Sequence, residues 1–228
     1  MESPGFYRYR PATPLYAYRQ SWFSPYLSPP VRELLDAGPF AERALRSPRH
    51  VDACILFTDI RGFTELSRSM DPGVLIDTVD LCVGRQARAV EHYGGYVDNF
   101  TGDGLMAVFE GRWMEENACL CALEIVQRPK RMGMSRADDR VPIGAGLHSG
   151  DVVMGSIGCE SRLTYTTVGN TVNVAARLSG QAAGCDVVIS EPVRAALSKA
   201  GARRFRRLQG AKPAGVNPAM TLYRAEPR

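Results

Sequence analysis

Apolar residues run from Ile55 to Phe57 inside a segment, Val51 to Thr58, that predicts a buried strand, and the run breaks at Asp59. A carboxylate is thus delivered to the end of a core strand. Ile60-Arg61-Gly62-Phe63-Thr64 follows, a tight segment in which Gly62 can let backbone N–H groups face a ligand. Asp71-Pro72 then opens a helix reaching about Tyr93. Its apolar positions Leu75, Val79, Cys82, Val83, Val90 and Tyr93 keep helical spacing, and Gly94-Gly95 stops it. Two short strands, Tyr96 to Phe100 and Leu105 to Phe109, flank Thr101-Gly102-Asp103-Gly104 and predict a β-hairpin with Asp103 at its tip.

A helix from about Met114 to Gln127 comes next, ending before Pro129, then a polar connection containing Asp138-Asp139-Arg140. Ile143 to His148 and Asp151 to Ile157 predict two strands turning at Ser149-Gly150, and Arg162 to Val168 alternates as a strand. Asn170 to Ala182 is helical in pattern, with Val174, Leu178 and Ala182 on one face. A strand at Val187 to Ile189, a helix from Glu191 to Leu197, and strands near Phe205 and Leu222 complete the series. The order β-α-β-β-α-β predicts an α+β fold, a ferredoxin-like sandwich with an antiparallel sheet. Upstream, residues 1–25 hold Pro4, Pro11, Pro14 and Pro25 among aromatics and arginines and read as an extended arm. Residues 26–50 read as a short helical lead-in: Ser28 caps a Pro-started helix ending by Gly38-Pro39, and a second helix spans about Phe40 to Leu45. Residues 51–228 form the domain proper.

Composition narrows the class. The 228 residues are 45% apolar, enough for one globular domain with an extension. The net charge of +4 is mild and partly terminal, which a solvated surface explains. No strip of interleaved aromatic and basic residues lies on the predicted strands, so a nucleic-acid partner is not expected. The six cysteines form no CxxC pair and several sit in apolar runs; they read as reduced thiols of a cytoplasmic protein. No apolar stretch reaches a bilayer's span, and no membrane partner is expected.

Asp59 and Asp103, at the ends of neighbouring strands, can chelate a pair of divalent cations of the kind that clamp the attacking and leaving oxygens in phosphoryl transfer. Oxygen donors without His or Cys nearby suit Mg²⁺ or Mn²⁺ over zinc. A helix cap at Asp59 and a simple turn at Asp103 are the structural alternatives. Asn173 and Arg177 lie one helical turn apart on one face. Such a pair can meet charge developing on a phosphate, or be a surface Arg beside a capping Asn.

Four segments in order carry a resemblance: F-T-D-I-R-G-F-T (57–64), G-G-Y-V-D-N-F-T-G-D-G (94–104), G-L-H-S-G-D-V-V-M-G-S-I-G (146–158) and Y-T-T-V-G-N-T-V-N-V-A-A-R-L (165–178). They resemble the blocks of the class III nucleotide cyclases, over about Val51 to Tyr223. The resemblance implies that Asp59, Asp103 and the Ile60 carbonyl hold two metal ions, and that the N–H groups of Arg61, Gly62, Phe63 and Thr64 hold the β- and γ-phosphates. Asn173 then positions the ribose and Arg177 stabilises charge on the transferring phosphate. It further implies a site completed only across a homodimer, and a triphosphate-binding lysine for which Lys212 is the nearby candidate. The base-reading positions fall on Asn99 and Thr166. Thr166 fits the adenylyl pattern, whereas Asn99 fits neither the adenylyl nor the guanylyl one. ATP is the expected substrate, with GTP or a pyrimidine triphosphate as alternatives, and a cyclase-like module without turnover as a further one. Diguanylate cyclases share the core layout, but their G-G-D/E-E-F loop is absent from the hairpin.

Overall fold

The computed structural model describes residues 24–36, 38–127, 141–159, 161–210, 214–217 and 219–226. Nearly all of the arm expected over residues 1–25 lies outside them, as does Lys212. The chain divides into two units between Ser47 and Pro48. The first holds two short helices, α1 (Pro29–Leu35) and α2 (Ala41–Arg46). Ser28 occupies the N-cap of α1, but its side chain makes no capping hydrogen bond; the prolines alone preset the first turn.

The second unit carries the sheet. Its elements are β1 (Arg49–Ile60), α3 (Phe63–Ser69), α4 (Pro72–His92), β2 (Tyr96–Phe100), β3 (Leu105–Glu110), α5 (Met114–Val126), β4 (Ile143–Cys159) and β5 (Arg162–Val168). There follow α6 (Asn170–Gln181), β6 (Asp186–Ser190), α7 (Glu191–Ala196), α8 (Lys199–Ala202), β7 (Phe205–Arg207) and β8 (Leu222–Ala225). The strand order is β2-β3-β1-β4-β6-β8-β7, with β5 paired to β4 off this path. Among the first four strands each hydrogen-bonded pair is antiparallel, the arrangement expected of the ferredoxin-like core. β6 joins β4 in parallel, because α6 carries the chain back across the sheet.

Both faces of the sheet are covered, which is why β1, β3 and β6 read as nearly unbroken apolar runs. Cys54, Leu56, Leu105, Ala107 and Phe109 face one cluster together with Val90 of α4 and Ala122 of α5. Ala53, Ile55, Met106 and Val108 face the other way, towards Ala175 of α6. Asp71 starts α4 by accepting from the Gly73 amide at 2.9 Å. The helices α3 and α8, too short to show an apolar period, were not expected.

One expectation is corrected. The residues Ser149 and Gly150 form no turn; β4 runs straight through them for 17 residues, pairing Ser149 with Cys54 and Gly150 with Ala53 of β1. Gly146 and Gly150 serve contact with α6 instead. A Cβ on Gly146 would collide with the backbone of Leu178 and Ser179, so α6 lies directly on the strand there. A Cβ on Gly150 would come 3.0 Å from the Thr171 hydroxyl. Gly146→Ala is therefore expected to destabilise the domain by about 2–3 kcal/mol in urea unfolding. Gly180→Ala, at an exposed helical position with open space around it, should be neutral or stabilise by up to about 1 kcal/mol.

Candidate active site

Three ties bind the hairpin tip to the end of β1. The Ile60 amide donates to the Asp103 carbonyl at 3.2 Å, and the Leu105 amide donates to the Thr58 hydroxyl at 3.1 Å. Gly104 lies so close to the Thr58 carbonyl that no other residue fits without displacing one of the strands. These ties bring Asp59 and Asp103 side by side, near enough for the Asp59 carboxyl to act on that of Asp103. Partial burial, then the neighbouring Asp59 carboxyl with its negative charge, push the Asp103 carboxyl up to about 6.

Arg61 leans back over the pair. Its Nη1 meets Asp59 Oδ2 at 2.8 Å, and its Nη2 donates to the Ser179 carbonyl in the last turn of α6. Its guanidinium occupies the space left by Gly144, and its buried Nε has no hydrogen-bond partner among the described residues. Behind it, Gly62 adopts φ 75° and caps α3, leaving the first-turn amides of Phe63 and Thr64 without helical acceptors; the Arg61 amide, expected to join them, instead donates to the Pro142 carbonyl at 2.8 Å. Ile60 itself is buried.

Asp59 and Asp103 make a hard oxygen donor set whose mutual repulsion one guanidinium only partly offsets, and this fits divalent cations such as Mg²⁺ or Mn²⁺. Among the described residues no group of three or more His, Cys, Asp or Glu side chains gathers, so these two carboxylates stand as a pair.

Asn173 and Arg177 are both exposed on α6. The helix is capped by Gly169 and starts at Asn170, so Asn173 is not its cap. Arg177 Nη1 donates to the Gly215 carbonyl, where φ is 72° and any side chain would strike the guanidinium. Asn99 is exposed on β2, and Thr166 lies on β5. Asp98, beside Asn99, accepts from both Thr166 and Thr167, which links the two strands at these positions. The sequence reading missed Asp98 and treated Arg61 only as a backbone donor. A carboxylate inside a five-residue strand was the available signal for the first.

Residues 45–215 match the family model described as the adenylate and guanylate cyclase catalytic domain. The chain is 31% identical over 184 residues to an adenylate cyclase of Anabaena cylindrica, covering 74% of this chain and 36% of that protein. It is 30% identical over 202 residues to adenylate cyclase 1 of Rhizobium meliloti, covering 85% of this chain and 30% of that one. The chain thus spans about a third of the length of these curated relatives. A bacterial light-regulated adenylyl cyclase superposes with a TM-score of 0.74 at 24% identity, over 88% of this chain and 59% of that one; this likeness concerns the fold.

The carboxylate pair makes a pH-dependent contribution. With its carboxyl harder to ionise in the folded state, Asp103 favours folding while protonated, and that benefit is lost as pH rises from 3.8 through about 6. In metal-free buffer at pH 7.5, Asp103→Asn should stabilise the domain by about 1 kcal/mol, solvent screening the part-exposed pair, and the gain should vanish near pH 4. Thermal melts across that range check this, and equal or lower stability of the variant at pH 7.5 would contradict it.

Proposed function

The chain belongs to the adenylate and guanylate cyclase catalytic domain family, and from that premise we propose that it converts a nucleoside triphosphate to its 3′,5′-cyclic monophosphate and pyrophosphate, with ATP the favoured substrate. The observation that carries this reading is the Asp59–Asp103 pair, two carboxyls brought to the same end of a buried strand by the ties between β1 and the hairpin tip. Asp59, Asp103 and the Ile60 carbonyl would hold two divalent cations, Mg²⁺ or Mn²⁺, which when bound ease loss of the ribose 3′-hydroxyl proton and neutralise triphosphate charge.

The remaining parts have roles of their own. The amides of Gly62, Phe63 and Thr64 hold the β- and γ-phosphates at the turn made by Gly62, while the Arg61 amide stays with the Pro142 carbonyl. Lys212 is the further candidate for the triphosphate. The 3′-oxygen forms its bond to the α-phosphorus as the bond to the pyrophosphate oxygen breaks. Asn173 orients the ribose for that attack, and Arg177 stabilises the charge that builds on the α-phosphate. Asn99 and Thr166 face the base.

A homodimer completes the site, the carboxylates of one copy meeting Asn173 and Arg177 of the other, so that two equivalent sites form. Support comes from the exposure of both α6 residues and from half-exposed apolar side chains at Phe100, Ile157 and Leu163 near the β2 and β5 ends. The reading places the domain, 51–228, in the cytoplasm, behind the arm and lead-in. Among the described residues no helix is long and apolar enough to cross a membrane.

Incubation of the purified chain with Mn²⁺ and ATP, GTP, UTP or CTP tests the proposal. ATP is expected to be cyclised fastest, and Asp59→Ala to lose on the order of a thousand-fold. Absence of cyclic product from all four nucleotides, in a protein shown to be dimeric, would overturn it in favour of a module without turnover.

A further inference from the structure

The pairing of β2 with β3 breaks its register once, between Val97 and Asn99, and Asp98 is the residue at the break. Such a bulge re-aims a side chain. Here it sends the Asp98 carboxylate to β5, some 70 residues further along the chain. Each carboxylate oxygen takes one hydroxyl: Thr166 Oγ1 lies 2.6 Å from Oδ2, and Thr167 Oγ1 lies 3.0 Å from Oδ1. Burial raises the Asp98 carboxyl, while the hydroxyl bonds and the Thr167 backbone amide act against that rise.

Hydrogen-bond direction then has a consequence for the base. A carboxylate only accepts, so both threonines must donate to it, and a hydroxyl has a single proton. With that proton committed to Asp98, Thr166 has only lone pairs left. We infer that Asp98 is a specificity-determining residue: it fixes Thr166 as an acceptor, so the base read there must present an amino group. The inference rests on the cyclase reading above, in which Thr166 and Asn99 face the base.

Asn99 does not supply this discrimination. Its amide can donate or accept and can be turned over, so it serves an adenine edge or a guanine edge equally. Thr166 lacks that freedom while Asp98 holds its proton. An amino group beside an unprotonated ring nitrogen is the edge of adenine and of cytosine. At the equivalent ring position guanine and uracil present a carbonyl beside an N–H, the opposite polarity, and guanine's amino group lies on the far side of that N–H. A carbonyl set against the Thr166 oxygen would leave two acceptors facing each other, a mismatch that binding sites reject strongly.

The first test needs no variant. The wild-type chain is offered ATP, inosine triphosphate, which has a carbonyl at carbon 6, and purine riboside triphosphate, which has hydrogen there. The expected kcat/KM falls about tenfold or more for both analogues relative to ATP. Asp98→Asn, close to isosteric, can donate to Thr166 and free its proton; the ATP-to-inosine-triphosphate ratio should then fall about tenfold, and the CTP-to-UTP ratio should fall with it. In a Thr166→Val background, Asp98→Asn should no longer move either ratio. A merely structural role for Asp98 would lower all substrates alike. Equal turnover of ATP and inosine triphosphate by the wild type overturns the inference and leaves the cyclase reading standing. An unchanged ratio in active Asp98→Asn protein does the same. No turnover of any nucleotide overturns both.

Discussion

Two carboxylates held against each other at the end of a buried strand are the constraint on which the rest of this domain depends. Asp59 and Asp103 repel, and nothing in the local backbone would choose their closeness for its own sake. Closeness is imposed from behind. Gly104 passes under the Thr58 carbonyl, the Thr58 hydroxyl takes the Leu105 amide, and the Asp103 carbonyl takes the Ile60 amide. The buried strands β1 and β3 hold that frame rigid, since Leu56, Leu105 and Phe109 are packed on one face and Ile55 and Val108 on the other. A repulsive pair supported this firmly is what a cation site requires of a protein, because ligands that drifted apart would bind the ion weakly.

The same end of the sheet positions α6. β4 keeps glycine at three places on the α6 side, and each admits a different neighbour: the Arg61 guanidinium at Gly144, the α6 backbone at Gly146 and Thr171 at Gly150. Arg61 therefore touches both Asp59 and the last turn of the helix that carries Asn173 and Arg177. One side chain thus connects, within a copy, the two surfaces that the proposed dimer would use in separate sites. That connection gives the carboxylate pair and α6 a shared geometry, since a shift of the helix along β4 would move the cation nearest to Asp59.

Much of the frame was legible in the sequence. The break of the apolar run at Asp59, the Asp71-Pro72 start and Gly94-Gly95 stop, and the Gly-Asp-Gly turn located β1, α4 and the hairpin to within two residues or so at each boundary. Ser149-Gly150 misled, because a glycine looks the same whether it turns the chain or makes room for a helix. The short helix α3 was invisible, having too few residues for a period. Which residues carry chemistry was less legible. Asp59 and Asp103 stood out by position, whereas Asn99 and Thr166 became candidates through resemblance alone. Asp98 was missed because its meaning depends on a bulge and on a strand far along the chain, neither of which a local pattern records.

The central claim is that each copy of the chain holds two half-sites that belong to different active sites of a homodimer. Mixing two inactive variants tests it most directly. Asp59→Ala spoils the carboxylate half and Arg177→Ala the α6 half, so each homodimer should be inactive. After the two are unfolded and refolded together, random pairing should give about half heterodimers, each with one intact site, and hence about a quarter of the wild-type rate. A mixture no more active than its separate components, although heterodimers have formed, would contradict the account.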